Sequence, residues 1–183
     1  MYKKALFKID YHGRWYYKDS EIRKESLVKL FAKILHCNRG DYYLITPIEK
    51  QKVEVEDVPF LINSLEIFIE EGLQKINFIT NIDTKVKCGA DCPVTMKIKD
   101  RDQNIPYIKI GQGISARISR PVYYELANIS VLGPNGDMGF ISRGIFFSLE
   151  TELKISIRAE ERFSVNTLHK QIVTKRSDFA QDD

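Results

Sequence analysis

The sequence predicts an α+β fold of two related strand–helix–strand units with mostly antiparallel sheets. Three observations predict it. Short runs of apolar–polar alternation fill most of the chain, two stretches switch to a helical period, and the chain matches itself at a fixed offset.

Leu6, Phe7 and Ile9, the break His12-Gly13, and Trp15-Tyr16-Tyr17 read as strand, turn, strand. Leu27, Leu30, Phe31, Ile34 and Leu35 then fall at i, i+3, i+4, i+7 and i+8, which predicts a helix over 23–36 with Lys24, Lys29 and Lys33 on its other side. Asn38-Arg39-Gly40-Asp41 is turn chemistry. Strands are expected over 42–48 and around Val53 and Val55, where Glu54 and Glu56 alternate with apolar positions. Residues 60–70 fit either period. The Glu70-Glu71-Gly72 turn and the strand-like 76–80 favour a hairpin. Short strands follow near Val86, over 94–98 and over 107–118, with a bend at Gly111-Gln112-Gly113. A second helix starts after Ser119, with Pro121 in its first turn, where the missing N–H costs nothing. Val122, Leu126 and Ile129 mark its inner side. Gly133-Pro134-Asn135-Gly136 turns the chain into a strand over 140–149, with another over 153–157. The division expected is 1–80, 81–158 and a polar, frayed tail over 159–183.

The self-match runs at an offset of 96 residues without a gap. It pairs Ile22 with Ile118, Lys24 with Arg120, Leu30 with Leu126, Gly40-Asp41 with Gly136-Asp137 and Leu44-Ile45-Thr46 with Phe140-Ile141-Ser142. A duplicated unit packs as a pseudo-symmetric pair, and the seam between copies is a natural cleft.

Composition narrows the function classes. With 183 residues, 28 basic and 25 acidic, the chain carries a net charge of +3, too small an excess to predict a nucleic-acid binder, which should show a clustered basic face. No apolar run is long enough to span a bilayer, and Met1 to Lys8 lacks the apolar core of a secretory signal. Cys37, Cys88 and Cys92 are an odd count without scaffold spacing, which points to reduced thiols and a cytoplasmic location. Cys88 and Cys92 have a spacing zinc can use, but only His36-Cys37 offers a completion, so no metal and no cofactor is expected. P-loop, G-x-S-x-G and H-E-x-x-H motifs are absent.

Several pieces of sequence, in this order, carry a resemblance. They are residues 9–15, Ile22-Arg23-Lys24 with 27–31, 43–50, 55–60, Thr80-Asn81, 117–126 and Ser142-Arg143-Gly144. The chain resembles the bacterial family known as domain of unknown function 1285. The resemblance implies a duplicated two-domain α+β fold with a second domain superficially like a pleckstrin-homology fold. It also implies a site for a small, nucleotide-like ligand between the domains, a signalling role, and no established activity. His12 stands where that pattern has Asp, and Lys24 where it has Arg, which keeps the charge and loses the forked geometry.

Arg117-Ile118-Ser119-Arg120-Pro121 is the strongest physical candidate for a site. A helix N-terminus attracts anions through free N–H groups, and arginine adds forked donors. The alternative is structural: a buried arginine tied to carbonyls across the seam. Tyr123 and Tyr124 offer a stacking face, one of them turned to the core. The corner Thr46-Pro47-Ile48-Glu49 is expected beside Arg117 and Arg120, with Lys24 at the matching place in the first copy. The expected function is non-catalytic binding of a small anionic ligand by Lys24, Thr46, Glu49, Arg117, Arg120 and Tyr124, without nucleic acid or membrane span. A hydrolase or transferase using Glu49 or Asp57 as base, and a protein-binding adaptor without small ligand, are the alternatives.

Overall fold

The computed structural model describes residues 5–99 and 103–151. The strand expected over 153–157 and the tail over 159–183 lie outside the described residues. Two sheet-rich units with mixed sheets and two helices make up the described chain.

The first unit contains β1 (Phe7–Ile9), β2 (Trp15–Tyr17), β3 (Ser20–Glu21), α1 (Glu25–Lys33), β4 (Leu35–Asn38), β5 (Asp41–Ile45) and β6 (Lys50–Val55). Its six strands form one sheet in the order β3-β2-β1-β6-β5-β4. Every pair is antiparallel except β1 with β6, where Phe7 lies opposite Val53. The second unit begins with β7 (Phe60–Glu70), β8 (Leu73–Thr80), β9 (Lys85–Lys87), β10 (Val94–Lys99), β11 (Gln103–Gly111) and β12 (Ile114–Ile118). These form a second sheet in the order β10-β11-β12-β7-β8-β9, again with one parallel pair, β12 with β7. Then come α2 (Arg120–Asn128), β13 (Val131–Leu132), β14 (Met138–Ser142) and β15 (Ile145–Ser148), the last three forming a small antiparallel sheet. One cluster of buried side chains runs through both units, from Ile9, Trp15 and Val53 to Ile62, Phe78, Ile108 and Phe140.

Turn chemistry explains where the strands end. Glu71-Gly72, Arg39-Gly40 and Arg143-Gly144 all take positive φ at both residues, the geometry of a two-residue hairpin turn. The first resolves residues 60–70 as strand. The second shortens the first helix: 35–38 pair back onto 41–44 as strand, so the helix expected over 23–36 stops at Lys33. The third divides the strand expected over 140–149 into β14 and β15.

The hairpin of β7 and β8 also corrects the division at residue 80. Residues 60–80 form the middle of the second sheet, because β7 pairs in parallel with β12, Phe60 opposite Ala116. The units therefore meet at the short connection 56–59.

The repeat is longer than the sequence reading suggested, and it is not free of gaps. Strand-strand-strand-helix-strand-strand-strand describes β1 to β6 with α1, and also β10 to β15 with α2. In the first copy the last strand pairs with the first, β6 on β1. In the second, β15 lies against β10 without joining its sheet. The strands keep the 96-residue offset: Leu44 and Phe140 are both buried, Ile45 and Ile141 both exposed. The helices do not keep it. Lys24 and Ser119 are the N-caps, and Ile34 and Ile129 the C-caps, one residue off the strands. Ser130, between the C-cap and β13, is the extra residue. Arg120 therefore corresponds to Glu25, and the pairing of Lys24 with Arg120 fails.

Asp10 anchors the loop between β1 and β2. Only 8% of it is exposed, and it accepts from the amides of His12 (2.9 Å) and Arg14 (2.9 Å), from Arg14 Nε (2.7 Å) and from the Tyr16 hydroxyl (3.2 Å). Burial alone would raise its carboxyl. The bonds from Arg14, His12 and Tyr16 outweigh that and hold it below the usual aspartate range. A lowered folded pKa gives stability that is complete above the unfolded value, near ~3.9, and lost as pH falls through the folded one. Asp10→Asn is expected to cost about 1.5–3 kcal/mol at neutral pH, with the gap to wild type closing as the pH falls through the lowered folded value into strong acid. Urea unfolding of both proteins at neutral pH and in strong acid checks this, and an equal gap at both refutes it.

Candidate functional site

Polar side chains hold the seam between the units. Arg117, on β12, is 9% exposed. Its Nη1 donates to Asp57 Oδ2 at 2.7 Å and its Nη2 to the Tyr11 carbonyl at 2.6 Å, and its Cζ lies 3.5 Å from the centre of the Tyr11 ring. Tyr107, on β11, donates its hydroxyl to both Asp57 oxygens, at 3.1 and 3.2 Å. Burial, then the Asp57 carboxylate, push the Tyr107 hydroxyl well above the ordinary tyrosine value, so it stays a donor. A second tie is Asn81, just after β8. Its Oδ1 accepts from Leu61 N at 3.1 Å and its Nδ2 donates to the Gly13 carbonyl at 3.3 Å. Gly13 has φ +73°, and a Cβ there would stand 2.8 Å from Asn81 Nδ2, so only glycine lets the β1–β2 loop approach this closely. A third tie is Lys29 on α1, 2.7 Å from Asp83. That contact raises the lysine's pKa.

Beside this seam lies a cleft of about 650 Å3 whose wall includes Tyr11, Arg117, Ser119, Arg120, Tyr123 and Tyr124. The N-terminus of α2 opens into it. Ser119 N donates to the Ile62 carbonyl, which fixes the helix start, while the Ser119 hydroxyl makes no cap bond. Pro121 sits in the first turn, where the N–H groups lack intrahelical partners. Arg120 is exposed and makes no ion pair or hydrogen bond among the described residues. Tyr123 is half-buried and packs against the core, and Tyr124 is 60% exposed with its ring centre 6.0 Å from that of Tyr123.

The structure thus brings together three of the six residues named from sequence: Arg117, Arg120 and Tyr124. Arg117 belongs to the seam, its guanidinium taken up by Asp57 and Tyr11. The other three stand elsewhere. Thr46 and Glu49 close their own exposed turn, Thr46 N to Glu49 O at 2.9 Å and Glu49 N to Thr46 Oγ1 at 3.0 Å. Lys50–Val55 separates that corner from Asp57, roughly 20 Å of extended strand. The corner therefore cannot stand next to Arg117. Lys24 is the exposed N-cap of α1 and does not line the cleft.

Tyr11, Asn81 and Tyr107 were not singled out by sequence. Tyr11 and Asn81 did lie in segments carrying the family resemblance, and Tyr107 gave no local signal. Among the described residues no group of three His, Cys, Asp or Glu is placed to hold a metal ion. The three thiols are unpaired, and burial pushes the Cys88 thiol up to about 12. No described helix is long and apolar enough to cross a membrane.

Fold and seam define a protein of two sheet-rich units joined by a short linker and clamped by a buried ion pair. The chain belongs to the DUF1285 family. The model described as the domain of unknown function (DUF1285), N-terminal domain, matches residues 2–58. The protein of unknown function (DUF1285), C-terminal domain, matches residues 59–149. The chain is similar to the crystal structure of a DUF1285 family protein from Silicibacter pomeroyi DSS-3, with 28% identity, a TM-score of 0.75 and 83% of each chain covered. It is also similar to one from Shewanella baltica OS155, with 34% identity, a TM-score of 0.56, and 68% of this chain and 92% of that one covered. No curated protein matches the chain.

Proposed function

We propose that the chain is a non-catalytic binding protein of signal transduction, taking a small anionic, nucleotide-like ligand in the α2 cleft at the meeting of the two units. One observation carries the reading: Arg120 lines a cleft of about 650 Å3 without a protein partner, while Arg117 beside it is held by Asp57 and the Tyr11 carbonyl. The Ser119 hydroxyl and the first-turn N–H groups of α2 add donors for a phosphate or carboxylate. Tyr124 supplies an exposed ring on which a base can stack. The bases of the catalytic alternative lend it no support. Asp57 is occupied by Arg117 and Tyr107, and Glu49 sits in an exposed turn far from the cleft. The finer fold expectation, a pleckstrin-like second unit, draws support from six strands in one sheet followed directly by a helix.

Arg120→Ala is expected to weaken a phosphate-bearing ligand by about 1.5–3 kcal/mol, the range for charged hydrogen bonds, with little change in melting temperature. A thermal-shift screen of nucleoside mono- and diphosphates on both proteins tests it. Stabilisation of the wild type that survives the substitution refutes the role of Arg120. Absence of stabilisation by any of them refutes the nucleotide-like class.

A further inference from the structure

We propose that a second cleft binds a single-chain amphiphilic anion, an acyl chain with a carboxylate head, between α1 and the second sheet. This inference concerns a different site and stands or falls apart from the α2 cleft.

The cleft measures about 640 Å3 and is lined from both units. That volume lies within the ordinary range for small-molecule sites. Its floor is core: Leu35 is 3%, Phe60 6% and Ile114 8% exposed. Ala32 of α1, Ile82 and Ile110 also line it, all half-buried and packed on the same core. Apolar walls of this kind retain a hydrocarbon chain by removing it from water.

The polar groups are confined to a few positions. Lys29 and Lys33 stand one helical turn apart on the same side of α1, and both line the cleft. Lys29 is tied to Asp83 at 2.7 Å, which neutralises it. Lys33 makes no ion pair or hydrogen bond among the described residues, and neither does Gln112 in the β11–β12 turn. Thr80 Oγ1 already accepts from the amides of Ile82 and Thr84. The cleft thus offers an apolar bed, one unpaired cation, one carboxamide and the Thr84 hydroxyl. That set suits a chain with one negative head. A nucleotide's ring and several phosphates would leave most of their polar atoms against Leu35, Phe60 and Ile114, where lost hydrogen bonds are costly. The head can belong to a free fatty acid or to an acyl chain held in a lipid surface. The apolar residues line a cleft between α1 and the second sheet and not a continuous exposed face, so the free form is the occupant proposed.

The test titrates the full chain calorimetrically with decanoate, with decan-1-ol and with acetate, and floats it with phosphatidylglycerol vesicles. One-to-one binding of decanoate is expected, about tenfold tighter than decanol, the equivalent of one charged hydrogen bond, with no heat from acetate and no flotation. Lys33→Ala should bring decanoate down to the affinity of decanol and leave decanol unchanged. Ala32→Trp should fill the cleft and abolish both. Lys33 is exposed, so its variant keeps the test valid if Ala32→Trp does not fold. Decanoate binding no tighter than decanol overturns the proposal. So does decanoate affinity unchanged in Lys33→Ala, and so does binding to vesicles without binding to decanoate.

Discussion

Arg117→Ala is expected to lower the free energy of unfolding by about 3–5 kcal/mol, the cost of breaking a buried ion pair from one side. The side chains of Arg117 and Asp57 are 10% and 11% exposed, and their contact is 2.7 Å. Without the guanidinium, the Asp57 carboxylate keeps its desolvation and loses the Arg117 charge 2.7 Å away. The Tyr11 carbonyl and the face of its ring lose a donor and a cation as well. Because Asp57 lies in the linker, Tyr11 in the first unit and Arg117 in the second, the loss falls on the joint. Arg117→Lys should recover only part of it, since one ammonium cannot reach both Asp57 and the Tyr11 carbonyl with forked geometry. Removing both charges with Asp57→Leu and Arg117→Met should cost less than Arg117→Ala alone, because the desolvated carboxylate is removed together with the guanidinium. Urea denaturation of the single and double variants gives the coupling directly. A loss under about 1 kcal/mol, typical of an exposed pair, would show that Arg117 is free to serve a ligand instead.

Local chemistry made the hairpins legible and long-range pairing hid the rest. Glu71-Gly72 and Arg39-Gly40 announce tight turns because glycine beside a residue that tolerates positive φ is what such turns require. The start of α2 was equally plain from Ser119-Arg120-Pro121. The first helix was overextended because Ile34 and Leu35 keep the helical period, yet Leu35 pairs with Leu44 as strand. A register of two and a period of 3.6 agree over so few residues. The division at residue 80 failed for another reason. The parallel pairing of β7 with β12 joins Phe60 to Ala116, and nothing local announces a partner that distant. The site was half legible on the same grounds. Arg117 and Arg120 stood out as charges beside a helix start. That Arg117 is spent on Asp57, sixty positions earlier, depends on the seam and not on either segment.

Leu126→Ala is expected to cost about 2–5 kcal/mol, while Leu30→Ala costs under ~1 kcal/mol, although the 96-residue self-match pairs the two leucines. Leu126 is fully buried, with Val122 one turn before it, and α2 packs on β7 and β14. Truncation there leaves a cavity inside a core already close-packed by Phe140 and Ile62, with little room to relax. Leu30 is 54% exposed, and no residue of α1 is fully buried. The inward position of α1 is Phe31, whose ring meets those of Phe7 at 5.2 Å and Trp15 at 6.3 Å. Aligned from their caps, α1 and α2 place Phe31 opposite Leu126, one residue from the match the strands suggest. Phe31→Ala should therefore resemble Leu126→Ala more than Leu30→Ala does, with a cost of about 2–4 kcal/mol because Phe31 is only half-buried. Thermal and urea unfolding of the three variants decides between the alignments. If Leu30→Ala proves as costly as Leu126→Ala and Phe31→Ala nearly neutral, the helices follow the offset of the strands and the single-residue insertion at Ser130 is wrong.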